Sequence, residues 1–190
     1  MLLLLSFFLS VIGLFFFLGD PLWFPSFYHP KIMGVVSFIF IFLLSLPRLL
    51  FRGAESPERK KAVSRLERAI AFSLLLSASG TLGLYQFYRY GFEYDKLVHF
   101  LFSFIMTFAL ADFVSAWYGV RPARAIFGVG VLIMVGGIIW ELIEIFSQTI
   151  FGVSLVTIFD ASLTRDTILD LVLDFLGIIF GWILFRRKRY

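Results

Sequence analysis

The chain has 190 residues, 60% of them hydrophobic and 16% charged, with a formal net charge of +4 and a mean hydropathy of +0.93. A soluble domain carries closer to a quarter charged residues, so this composition predicts an integral membrane protein. Cysteine is absent, which removes disulfides, Cys-ligated metals and thiol nucleophiles.

The first apolar run covers residues 1–19. It has no basic n-region and no small-residue cleavage site, so it reads as a retained helix. The loop 20–30, DPLWFPSFYHP, offers Trp23, Phe24, Phe27 and Tyr28 as interface anchors, and His29 as a solvated loop residue. A second span covers 31–46, with Pro47 expected to end it. The polar segment RGAESPERKKAVSRLER follows. Ser56 before Pro57 predicts a helix start. Arg59, Lys60, Lys61, Arg65 and Arg68 are expected to hold the new helix to an anionic membrane surface.

That helix runs into a third span, 69–86, whose Ser73, Ser77 and Gly80 share a stripe suited to close helix packing. The fourth span, 95–117, carries the stripe Asp95, His99, Ser103, Thr107, Ala111. Asp112 lies on another face, where a salt bridge to Arg121 or Arg124 is expected. The fifth span, 125–151, is long for a bilayer that needs about 20 residues. The segment VSLVTIFDASLTR then reads as an interfacial flap, and the sixth span covers 166–185.

Six spans make an all-α, polytopic transmembrane helix bundle. Thirteen of the seventeen Lys and Arg residues fall in the second loop, the fourth loop and the C-terminal tail. The positive-inside rule therefore places both termini in the cytoplasm of a multi-pass cell-membrane protein. Anionic lipid headgroups account for these cations, so nucleic acid is not expected as a partner, and a homo-oligomer stays open. No internal repeat of the kind found in transporters is visible.

The sixth span, DTILDLVLDFLGIIFG, is the anomaly. Asp166, Asp170, Asp174, Gly177 and Gly181 fall within a stripe of about 80°, acidic in its first half and glycine-lined in its second. A bilayer does not tolerate such a face toward lipid. The fifth span supplies a counterpart. Glu141 and Glu144 share a face with Gly130, Gly137 and Gln148, and Trp140 sits beside it. At about 1.5 Å per residue, these acids and the Asp95–His99 pair reach one depth in the outer half of the membrane.

One intramembrane acid costs about 2.5–3.5 kcal/mol, and this reading counts no lysine or arginine within these spans to compensate. Shared protons, a bound cation or a water-filled cavity are the remaining solutions. Carboxylate oxygens with one imidazole suit Mg²⁺, Mn²⁺ or Ca²⁺. The expected metal set is Glu141, Glu144, Asp170 and Asp174, with His99, Asp95 and Glu141 as the catalytic groups. Trp140, Gln148, Asp160, Arg165 and Asp166 are expected on the substrate side. Arg165 is also expected to pair with Asp166 or Asp160.

The order YDKLVHF, then WELIE, then DTILDLVLDFLG resembles the VanZ-like and YjdF-like families of small membrane proteins. Those families pair a D-K-x-x-H-F opening with a glutamate-bearing helix and a final D-x-x-x-D-x-x-x-N-x-x-G helix. Asp95, Lys96, His99, Trp140, Glu141, Glu144, Asp166, Thr167, Asp170 and Gly177 carry the likeness. Asp174 departs from it, standing where the pattern has asparagine. The resemblance divides the chain into residues 1–66, two helices with a basic loop, and 67–190, a four-helix core. It implies envelope or lipid-linked chemistry.

A metal-dependent membrane enzyme acting on a lipid or lipid-linked substrate is therefore the first expectation. A proton- or cation-coupled transporter and a non-catalytic scaffold or regulator are the rivals.

Overall fold

The computed structural model describes residues 2–20, 30–53, 56–81, 84–151 and 163–189. The interface anchors 23–28, His29 and most of the flap, including Asp160, lie outside the described residues. Among the described residues the chain is all helical, with six α-helices and one short 3-10 helix and no strand. The helices are α1 (Leu2–Leu18), α2 (Pro30–Leu50), α3 (Pro57–Thr81), α4 (Tyr94–Tyr118), α5 (Pro122–Phe151) and α6 (Leu163–Arg189). The 3-10 helix, Leu84–Tyr90, joins α3 to α4.

Local chemistry sets several boundaries. The Ser56 hydroxyl accepts the Arg59 N–H at 3.2 Å, capping α3 with Pro57 in its first turn. Gly119 ends α4 in a left-handed conformation (φ 67°), which glycine adopts without steric cost. Pro30 and Pro122 open α2 and α5, where a missing N–H leaves no helical bond unmade. Pro47 does not end its helix, contrary to expectation. It sits one turn before the last residue of α2, and the Ser45 hydroxyl bonds the Ile41 carbonyl at 2.9 Å nearby. So close to a helix end, proline costs one hydrogen bond rather than the helix.

Among the described residues, three helices are long and apolar enough to cross a membrane: α4, α5 through Phe146, and α6 from Thr164 to Arg187. Their outward faces expose Phe127, Leu132, Ile139, Phe175 and Phe180, as a lipid solvent allows. The three pack on one another, with α3 against α4 and with α1 reaching the body through α2.

The α4–α6 contact is closest where the glycines fall. A β-carbon on Gly177 would run into the Phe100 carbonyl and lie 2.9 Å from the Phe104 nitrogen. One on Gly181 would lie 2.8 Å from the Phe104 carbonyl and 3.0 Å from the Thr107 side chain. Small residues let the two backbones touch, and that contact brings the acidic half of α6 against the start of α4.

Candidate functional site

The first turns of α4 and α6 and the second half of α5 converge at one end of the bundle. Asp95, Lys96 and His99 come from α4, Glu141 and Glu144 from α5, and Asp166, Asp170 and Asp174 from α6. Glu141, Glu144, Asp170 and Asp174 are all buried. The four-residue spacing in α6 and three-residue spacing in α5 put each set on one helix face, and the two faces meet at α4.

His99 is the centre of the arrangement. Its Nδ1 lies 3.3 Å from Asp174 Oδ2, and the other Asp174 oxygen accepts the Ser103 hydroxyl at 2.6 Å. Its Nε2 faces three carboxylates: Glu141 Oε1 at 3.8 Å, Asp95 Oδ1 at 3.9 Å and Asp170 Oδ1 at 3.9 Å. The ring is therefore held on one edge and surrounded by acids on the other. Among the described residues, Glu141 Oε1 is buried without a hydrogen-bond partner, which for a carboxylate oxygen is costly. Gly137 leaves space one turn from Glu141; a β-carbon there would lie 2.5 Å from Asp174 Oδ2.

Lys96 corrects the expectation that these acids lack a nearby cation. Its ammonium donates to both Asp170 oxygens at 2.8 Å and also to Asp166, and stands 3.8 Å from Asp95 Oδ2. The long aliphatic stem lets a residue in the first turn of α4 reach acids on α6. Six carboxylates against Lys96 and one imidazole still leave the site strongly acidic. Asp95, His99 and Asp170 present ligand atoms within 4.8 Å of one another, a group that could hold a metal ion.

Other expected site residues fall elsewhere. Trp140 is 43% exposed on the outward face of α5. Arg165 is exposed at the start of α6 and makes no ion pair among the described residues, because Asp166 pairs with Lys96 instead. The side chain of Gln148 lies outside the described residues, as does Asp160. Lys96 and Ser103 entered the sequence reading only as part of a motif and a stripe, yet both bond the acids directly.

The family model described as "Predicted membrane protein (DUF2238)" matches residues 2–189, nearly the whole chain. The chain belongs to the DUF2238 family. No curated protein and no solved structure gives a significant match. DUF2238 membership agrees with the apolar helices in making this a membrane protein.

The opposite end of α4 differs in character. Asp112 is buried and forms the expected salt bridge, with Arg65 of α3 as a partner. Glu67, also buried, is gripped by Arg48. Arg65 thus turns inward from a helix expected to lay its cations on the membrane surface.

Proposed function

We propose that this DUF2238 protein is a multi-pass membrane enzyme whose acidic site binds a divalent cation and acts on a lipid or lipid-linked substrate. One observation carries the reading: His99 Nε2 faces Asp95, Glu141 and Asp170 at 3.8–3.9 Å while Asp174 holds Nδ1. Around a Mg²⁺ or Mn²⁺ ion, neighbouring ligands stand roughly 3.0 Å apart and opposite ones roughly 4.2 Å apart. The observed separations fall between these. Glu141 Oε1, buried and without a hydrogen-bond partner among the described residues, would serve as a cation ligand.

On this reading the metal set is Asp95, His99, Glu141 and Asp170. That differs from the set expected from sequence. Asp174 moves from ligand to the group that orients the histidine, as carboxylates do behind metal-bound imidazoles. The cation would polarise the substrate or activate water. Glu141 would take a proton from the attacking group through the carboxylate oxygen that does not bind the cation. Lys96 bonds both Asp166 and Asp170 and so fixes their carboxylates at the site. Arg165 lies one residue before Asp166, where it can meet an anionic headgroup.

The three long apolar helices together with α1, α2 and α3 make six crossings, and the charge distribution sets both termini on the cytoplasmic side. The site then opens toward the outer leaflet of the cell membrane. The motif order from Asp95 to Gly177 supports kinship with VanZ-like and YjdF-like proteins and hence envelope chemistry.

The test is lipid turnover. Purified protein and its Glu141→Gln variant are incubated in membranes of extracted bacterial lipid, with Mn²⁺ or with a chelator, and lipid species are followed by mass spectrometry. Species that change with wild type and Mn²⁺ alone are expected. Identical profiles in all four arms would remove the enzymatic reading.

A further inference from the structure

A second charged assembly lies at the far end of α4, about 25 Å along the helix from the acids. Seven basic residues fall between Arg48 and Arg68, against Glu55, Glu58 and Glu67, so this stretch carries 7 − 3 = +4. Four of the seven are committed to protein groups. Arg48 forks onto Glu67 at 2.6 and 3.2 Å, and Arg65 pairs with Asp112. Arg59 lies over the Trp117 ring, 5.3 Å from its centroid, and Arg68 bonds the Ser64 carbonyl at 3.3 Å.

Arg52 and Lys60 make no ion pair among the described residues, and they line the same groove. Its volume is about 470 Å³, and Phe51, Val63, Ser64 and the Arg48–Glu67 pair also line it. Arg52 comes from the turn after α2 and Lys60 from the first turn of α3, so two separate elements aim cations at one space. The Arg48–Glu67 fork neutralises the one acid that lines the groove among the described residues and leaves both charges unquenched. A guanidinium fork beside an ammonium point charge and a hydroxyl is the donor set that phosphate oxygens take.

We propose that this groove binds a phosphate group between Arg52 and Lys60, presented by an anionic lipid headgroup or by a soluble phosphate. The site is separate from the acidic cluster and does not depend on the enzymatic reading. Phe51, an apolar wall beside the cations, suits a ligand that is part hydrocarbon.

The experiment places the full-length protein in nanodiscs of neutral lipid doped with phosphatidylglycerol and counts retained anionic lipid by native mass spectrometry. Inorganic phosphate is the competing probe. The Arg52→Gln, Lys60→Gln double variant should bind roughly thirtyfold more weakly, at about 1 kcal/mol per basic residue. The charge-conserving Arg52→Lys, Lys60→Arg variant should retain binding, and Lys61→Gln, which alters the neighbouring surface, should match wild type. Retention that resists inorganic phosphate assigns the lipid headgroup, and displacement by it assigns a soluble phosphate. Equal retention in wild type and the neutralised double variant, or an equal loss in Lys61→Gln, would overturn the proposal in favour of diffuse surface charge.

Discussion

The Lys96 ammonium donates to both carboxylate oxygens of Asp170 at 2.8 Å, tying the first turn of α4 to the second turn of α6. Asp170 is 2% exposed, so it has no water to fall back on. Removing the cation leaves Asp166 and Asp170 side by side without their partner. Lys96→Met is therefore expected to destabilise the protein by about 3–5 kcal/mol, the range for breaking a buried pair. Asp170→Asn in the same chain should restore much of the loss. Thermal unfolding of the single and double variants checks this, and additive losses would show that the pair is uncoupled.

Gly177 sits where α6 meets the backbone of α4. Gly177→Ala places a methyl group against the Phe104 nitrogen and the Phe100 carbonyl, which are backbone and cannot swing aside. A loss of about 1–3 kcal/mol is expected. Gly128→Ala is the control, because no atom lies within 4 Å of its β-carbon position. Helix propensity should make that change neutral or slightly stabilising. Melting temperatures of the two variants decide between tight packing and a generic glycine effect.

Asp174 holds His99 Nδ1 and accepts the Ser103 hydroxyl. Asp174→Asn keeps the shape and one acceptor but loses the charge behind the imidazole. Divalent-cation affinity should fall by about 10–100-fold with the fold intact. Isothermal titration with Mn²⁺ measures it. An unchanged affinity would remove Asp174 from the site's second layer.

Much of this site was legible in the sequence because helical periodicity and depth are one-dimensional quantities. The four-residue spacing of Asp166, Asp170 and Asp174 fixes a face, and 1.5 Å per residue matches it to Glu141 and His99. The glycine half of the same stripe is where α6 closes on the α4 backbone. What stayed hidden depends on side-chain reach and rotation. Lys96 was passed over because its backbone lies in the first turn of α4, although its ammonium reaches Asp170. The contact of Asp174 with His99 Nδ1 is not legible either, because spacing does not say which ring nitrogen a carboxylate meets. Arg65 and Asp112 are 47 positions apart, so no local pattern pairs them.

On the proposed function, the carboxylates around His99 Nε2 hold a divalent cation. Direct Mn²⁺ binding, followed by electron paramagnetic resonance on the purified protein in nanodiscs, tests it most directly. Wild type is expected to bind one ion per chain, and Asp170→Asn with Glu141→Gln to bind none at the same concentration. Equal binding by the two proteins, or none by wild type, would contradict the account.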